Sequence, residues 1–382
     1  MNQKHQHVFG LALLLSTFAV GASLVACGKP VPQDIIQAVE SIDRSLLQLR
    51  AAELAPHDYG SFARKWATLR TRAEVEEDLI HWPWESNTLE LDLRQLQEEG
   101  SRTVARLTER QAALRRSAEQ QLVHTTDRAS LITHQVRAID GRIVLGNKPV
   151  ETDLLLKQAQ SFYERGHYIK SLDASNRASR NLAAEAALLT HELGRYANPD
   201  RIARWQQLAK DTIAWSKSHH ASAIVVSKAD RTLTLYKDGR KVLSYPVRLG
   251  FNGIREKRHQ GDGATPEGRY RVIRKRGQGQ TQFYRALVLD YPNQEDRRRF
   301  AAERKAGHMS PTRSIGGQIE IHGVENELIA QTLGCVMLEN PQIALLFERV
   351  DQGTPVTIVG ALHENNAVAL ALASLTPMKT DT

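Results

Sequence analysis

Ile319-Glu320-Ile321-His322-Gly323, followed closely by Thr332-Leu333-Gly334-Cys335-Val336-Met337-Leu338-Glu339-Asn340, is the stretch around which this chain is organised. A thiol attacks as its thiolate, and with an ordinary pKa of about 8.5 it is only a few per cent ionised at neutral pH. An adjacent imidazole that accepts the proton removes that limit, which makes Cys335 and His322 candidates for a nucleophile and its base. Ile319 and Ile321 alternate with polar neighbours as in a half-buried strand, placing His322 at the strand's end. The glycines Gly323 and Gly334 read as openings that let a substrate approach. Asn340-Pro341 reads as the cap and first position of a helix whose apolar face is Ile343, Leu346, Phe347 and Val350. Cys335 therefore falls between a strand and a helix.

The same residues admit other uses. A lone cysteine is commonly an inert small hydrophobe and a lone histidine a structural one. His308, His322 and Cys335 could supply three zinc ligands, but their spacing matches no common zinc motif, and neither metal nor cofactor is called for. A non-catalytic cell-wall-binding protein would leave Cys335 dispensable. The glycine-rich segment from Gly261 to Gly268 has neither a Walker lysine nor Rossmann spacing, so it is read as a turn beside the site.

Residues 1–26 read as a signal peptide, with Lys4 and flanking histidines before an apolar run from Val8 to Val25. The run ends in Leu24-Val25-Ala26-Cys27, which is similar to the lipobox of bacterial lipoproteins; that resemblance makes Cys27 the lipidated residue. Gly28, in place of an aspartate, points to the periplasmic face of a Gram-negative outer membrane. The chain has two cysteines, so with Cys27 carrying lipid Cys335 is left unpaired in an oxidising compartment. An unpaired thiol there is open to oxidation, and catalysis gives a reason to keep one.

Residues 27–32 read as a short linker, and 33–220 as an all-α region. Ile35, Val39, Ile42, Leu46 and Leu49 form one helical stripe, a long charged helix is expected over about 87–135, and Arg142-Ile143-Val144-Leu145 is of undecided type. Ala159, Phe162, Gly166, Tyr168 and Ala174 resemble one tetratricopeptide-like hairpin without a second copy. Such a module spaces the rest of the chain from the membrane or docks a protein partner. At Ala223 the period changes to that of strands. These are expected at Ile224–Val226, Thr232–Tyr236, Val242–Val247, Tyr270–Arg274, Ala286–Leu289, Gln318–Ile321 and Val356–Val359, with a tail at 361–382. The formal charge is +8, and residues 221–360 hold 22 Lys and Arg against 15 Asp and Glu. The basic excess thus belongs to the strand-rich part, where it suits an anionic polymer such as a carboxylate-bearing peptide. No nucleic-acid recognition motif accompanies it.

His-Gly followed by Thr-x-Gly-Cys resembles the signature of the YkuD (ErfK/YbiS/YcfS/YnhG) family of L,D-transpeptidases. Gly261-Asp262-Gly263-Ala264-Thr265-Pro266-Glu267-Gly268-Arg269-Tyr270 and Gly353-Thr354-Pro355-Val356-Thr357-Ile358 resemble two further segments of that family, so the likeness covers 223–360. Leu333 stands where most members have histidine, and Met337 where many have Arg or Asn. Those departures, with Asn340 and Leu289-Asp290-Tyr291-Pro292-Asn293, are more like the YafK-type branch. The resemblance implies an α+β multidomain chain, a helical domain followed by a mainly β, sandwich-like catalytic domain at 221–360. It implies a peptidoglycan L,D-transpeptidase in which Cys335 attacks a stem-peptide carbonyl and His322 moves the proton. The Gly323 carbonyl would orient His322, and amides of Leu333, Gly334 and Cys335 would hold the oxyanion. Thr332, Tyr291, His308 and Asn340 are placed at the substrate, although His308 also reads as a surface residue. The alternative outcome with the same residues is hydrolysis of peptidoglycan crosslinks or of protein–peptidoglycan links.

Overall fold

A computed structural model describes residues 31–77, 88–139, 142–324 and 332–375. The signal peptide and Cys27 lie outside the described residues. The chain forms two compact units, one ending at Ala118 and the other starting at Glu119.

In the first unit α1 (Gln33–Gln48), α2 (Ala51–Leu54), α3 (Pro56–Glu76) and the start of the 51-residue α4 (Thr88–Ala138) enclose one core. The stripe read from the sequence supplies it: Ile35, Val39 and Leu46 are buried, and Phe62, Trp66, Leu89, Leu93 and Leu96 complete it. Gly100 sits where α4 comes closest, since a Cβ there would stand 2.7 Å from both Ile42 and Phe62.

In the second unit the end of α4 is followed by α5 (Arg142–Leu145), so the undecided run is a helical turn. Next come the hairpin of α6 (Lys148–Glu164) and α7 (Tyr168–Leu193), a 3-10 turn (Gly194–Ala197), and α8 (Pro199–Ser218). The hairpin turns at Gly166, whose φ of +73° suits glycine, and Asn198 caps α8 through its bond from Arg201 N.

The strands are β1 (Ser222–Ser227), β2 (Thr232–Lys237), β3 (Arg240–Pro246), β4 (Gly268–Arg276), β5 (Ala286–Leu289), β6 (Glu320–His322), β7 (Val336–Met337) and β8 (Pro355–Val359). They form one mixed sheet in the order β3-β2-β1-β8-β4-β5-β6-β7. The pairs β1–β8 and β6–β7 are parallel and the others antiparallel. The sheet curls, so that Ile224 and Leu233 near one end share a core with Leu287, Ile321 and Val336 near the other. Burying each such side chain stabilises the fold by about 1.5–3 kcal/mol.

Three further helices complete the unit: α9 (Gln294–Lys305), α10 (Asn340–Arg349) and α11 (Ala367–Leu375). The cap of α10 is Glu339, in a reciprocal capping box with Gln342, rather than Asn340 as the sequence reading had it. Within the expected tail, α11 buries Val368, Ala371, Leu372 and Leu375 against side chains of α4, α7 and α8. Trp205 of α8 lies flush on the backbone of Gly360, where a Cβ would approach it to 2.3 Å. The change of period at Ala223 is therefore a boundary of secondary structure but not of packing: helices from Glu119 onward share a core with the sheet's β8 end. Among the described residues no helix is long and apolar enough to cross a membrane.

One buried ion cluster ties this layer to the Gly261–Gly268 segment. Lys228 is fully buried and donates to Arg255 O at 2.7 Å, Thr265 O at 2.8 Å and Glu267 Oε1 at 2.8 Å. Arg195, in the 3-10 turn, grips both oxygens of Glu267 at 2.9 and 2.7 Å. Burial alone would raise the Glu267 carboxyl, but the two cations hold it down at about 2.

Candidate active site

Cys335 is carried on a segment whose backbone is held from both sides. On one side β7 pairs with β6, Ile321 opposite Val336 and His322 opposite Met337. On the other, Arg248 exchanges hydrogen bonds with Met337 at 2.9 and 2.8 Å, and Phe251 N donates to Thr332 O at 2.8 Å. Side chains alternate along a strand, so this register puts Glu320, His322, Cys335 and Met337 on one face. All four line a single cavity of about 560 Å³, together with Thr332, Phe283 and Arg276.

The half-buried thiol lies 3.4 Å from Glu320 N, which donates to the sulfur, and 3.6 Å from Gln318 O, the acceptor for its own proton. The buried His322 has Nδ1 at 2.7 Å from Gly323 O. A carbonyl can only accept, so Nδ1 carries the proton and Nε2 keeps its lone pair. Nε2 is buried without a hydrogen-bond partner among the described residues. Phe283 covers the imidazole face to face, 3.6 Å between centroids and 13° from parallel.

Both groups are held in their neutral forms. Burial lowers the His322 imidazole below its ordinary value, with the Gly323 carbonyl opposing the shift. Burial raises the Cys335 thiol to about 11; the Glu320 amide pulls it down, the Glu320 carboxylate pushes it up and Lys257 lowers it. The site thus contains a thiol and a free base instead of a preformed ion pair.

Gly334 has a different task from the one read in the sequence, and Gly250 shares it. A Cβ on Gly334, at φ +139°, would meet Ala264 O at 2.9 Å, and one on Gly250 would meet Gly263 O at 2.1 Å and Gly334 Cα at 2.8 Å. The Gly261–Gly268 segment is pressed backbone to backbone behind the cysteine, and these positions exclude side chains for that reason. Asp262 folds the segment by accepting from Arg258 N at 2.7 Å, His259 N at 3.0 Å, Ala264 N at 3.0 Å and Lys257 Nζ at 2.9 Å. Thr265 Oγ1 takes the Gly250 amide at 3.0 Å. At Gly323 a Cβ would meet Asn340 Oδ1 at 2.5 Å, so protein rather than an opening occupies that space.

The other residues singled out divide into two groups. Thr332 lines the cavity, and its hydroxyl donates to Cys335 O at 2.8 Å while receiving Gly334 N at 3.2 Å. That bond engages the Gly334 amide within the loop. Leu333 is 78% exposed on the rim. Asn340 accepts from Val324 N at 2.8 Å, which braces the turn after His322. Tyr291 is buried, with its hydroxyl on Ile315 O at 3.1 Å, and His308 is exposed at the end of α9 beside Glu303 at 3.3 Å. Neither lines the cavity that holds Cys335, and His308 stays apart from His322 and Cys335. Among the described residues no group of His, Cys, Asp and Glu is arranged to hold a metal ion. Phe283, Arg276 and Glu320 were not singled out from the sequence; an aromatic pair in the polar run Thr281-Gln282-Phe283-Tyr284 was the available signal for the first.

No curated protein matches the chain. Among solved structures, a Bdellovibrio bacteriovorus protein is 22% identical, with a TM-score of 0.30 over 41% of this chain and 55% of that one. An Enterococcus faecium L,D-transpeptidase is 16% identical, with a TM-score of 0.25 over 36% and 49%. The L,D-transpeptidase 1 of Mycobacterium tuberculosis is 20% identical, with a TM-score of 0.21 over 37% and 62%. This chain thus spans about half to three fifths of the length of these structures. The family that matches is YkuD, the L,D-transpeptidase catalytic domain, over residues 221–358, the part of the chain that holds the cavity with Cys335 and His322.

Proposed function

We propose that this protein is a cysteine-dependent acyltransferase of peptidoglycan stem peptides. The observation that carries the reading is the pair on one strand face: a half-buried thiol, and an imidazole whose Nδ1 is fixed on a carbonyl and whose Nε2 is free to take a proton. The Cys335 sulfur attacks the carbonyl before the scissile bond and its proton passes to His322 Nε2. As the C–N bond breaks, His322 returns that proton to the leaving amine and a thioester remains. An acceptor amine then attacks the thioester, loses its proton to His322, and releases the sulfur, which is reprotonated. The amides of Leu333 and Cys335 are the oxyanion donors in this scheme, each such donor contributing about 3 kcal/mol in known cases.

Water in the acceptor's place gives a hydrolase with identical residues. Lipidation of Cys27 would hold the chain on the periplasmic face of an outer membrane, within reach of the polymer; the helical part would set the distance or bind a protein partner. Incubation of the full chain with tetrapeptide muropeptides, followed by mass spectrometry, tests the reaction. Crosslinked dimers are expected; shortened peptides alone make it a hydrolase. Unchanged substrate, or full activity in Cys335→Ala, overturns both.

A further inference from the structure

A second cavity, of about 260 Å³, lies apart from the one that holds Cys335, and the two linings share no residue. Helical and strand-rich parts of the second unit build it together. Glu192 stands near the end of α7, Arg195 in the 3-10 turn and Arg201 in the first turn of α8, while Asn252, Arg255 and Arg258 follow β3. Asp262 and Ala264, from the segment pressed behind Cys335, form one wall.

Most of its charges are already matched. Arg195 is taken by Glu267 and Arg255 by Glu192, and Lys257 holds Asp262. Three lining groups are left over: the side chains of Arg201, Arg258 and Glu256 make no hydrogen bond or salt bridge among the described residues. The two arginines are exposed, and water alone would satisfy them. Glu256 is different, because it is half-buried and the cations that feel its charge, Arg195, Lys228 and Arg299, are each bonded to another carboxylate.

Asn252 adds a second, independent observation. It is 7% exposed, its Nδ2 donates to Asp262 O at 3.1 Å, and its Oδ1 is buried with no hydrogen-bond partner among the described residues. The bond to a carbonyl fixes which end of the amide is oxygen, so an acceptor is left over at the cavity. Buried acceptors without partners are uncommon in folded chains. Two acceptors therefore lack a donor and two guanidiniums lack an anion, in a cavity whose remaining charges cancel. We propose that it binds the zwitterionic group of a free α-amino acid, the ammonium on Glu256 and Asn252 Oδ1 and the carboxylate on Arg258 and Arg201.

The guanidinium fork suits a carboxylate, and an ammonium has three donors to place. A plain anion would be set against Glu256 and a plain cation against two arginines, so a ligand with both charges is the one that leaves neither side unmatched. The space is just under the roughly 300 Å³ at which ligand pockets begin, which limits the amino acid to a short side chain. None of these residues takes part in the acyl-transfer scheme, and the proposal does not rest on it.

Calorimetry on the full chain tests this after Cys335 has been alkylated with N-ethylmaleimide, which fills the other cavity. The probes are D- and L-alanine, N-acetylalanine, which lacks the ammonium, and alaninamide, which lacks the carboxylate. Alanine of at least one hand is expected to bind one to one, and each derivative roughly tenfold more weakly or worse, because it strands one set of polar groups. Glu256→Gln should narrow the gap between alanine and N-acetylalanine, and Arg258→Gln the gap between alanine and alaninamide. No binding at millimolar alanine, or either derivative binding as tightly as alanine, overturns the proposal whether or not the variants fold. So does alanine that binds the untreated chain but not the alkylated one, since it then sits in the cavity with Cys335. A chain that binds alanine and leaves muropeptides unchanged keeps this site and loses acyl transfer.

Discussion

Phe283 lies flat on the imidazole of His322, 3.6 Å between ring centroids and 13° from parallel, in the loop between β4 and β5. The contact both fixes the ring plane and keeps water from one of its faces. Phe283→Ala is therefore expected to lower kcat/KM on tetrapeptide substrate by about tenfold through lost positioning. It also relieves the burial that depresses His322, so the imidazole shifts up toward its ordinary value. Activity needs the neutral ring, and the acid limb of the pH–rate profile should move to higher pH in the variant. An unchanged limb would show that the phenylalanine does not shield the base.

The thiol offers a second, simpler measurement. With Cys335 raised to about 11 and His322 lowered, burial holds the pair neutral at physiological pH. Alkylation by iodoacetamide should climb steadily through alkaline pH, by roughly tenfold for each unit below the thiol's midpoint. A plateau of reactivity persisting to pH near 5 would reveal a preformed thiolate–imidazolium pair and contradict the geometry.

Gly250 and Gly334 predict effects that exceed their size. Alanine at Gly250 places a methyl 2.1 Å from Gly263 O, and alanine at Gly334 adds a left-handed φ to a 2.9 Å contact with Ala264 O. Each substitution should cost about 1–3 kcal/mol in urea unfolding, because the opposing atoms are backbone and cannot swing aside. Displacement of the sulfur by even an ångström should lower turnover by about a hundredfold. A Gly334→Ala variant of normal stability and rate would refute this account of the loop.

Glu267 governs the response to acid. Its carboxyl is held at about 2 in the folded chain against an ordinary value of 4.5, so the stability it contributes is complete above the ordinary value and is lost as pH falls through about 2. The shift corresponds to about 3 kcal/mol. Urea midpoints of the native chain and of Glu267→Gln should differ widely at neutral pH and converge as the pH is lowered toward 2. A constant gap would mean that the cluster of Lys228, Arg195 and Glu267 is not what titrates.

Much of this arrangement is legible in the chain itself. Alternation at Ile319 and Ile321, the Pro341 helix start and the Asp238-Gly239 turn are local signals, and the elements fall within one or two residues of where they point; β6 extends to include His322. What the sequence conceals is contact between distant segments. Nothing near Trp205 announces that it will cover Gly360, and nothing near Asn340 says that its amide oxygen will hold Val324 N rather than a ligand. The same holds for Glu320, which reads as the polar half of an alternating strand until the register sets it against Cys335. The family resemblance places Tyr291 at the substrate, but its ring packs against Tyr270 instead.

The perch of Cys335, laced to Arg248 and Phe251 on one edge and to β6 on the other, depends on main-chain atoms that every amino acid but proline possesses. Apart from the tightly packed Gly334, residues beside the sulfur can therefore be exchanged without dislodging it. Leu333, jutting outward from the rim, is a natural place to retune which partner is admitted while leaving the chemistry beneath untouched.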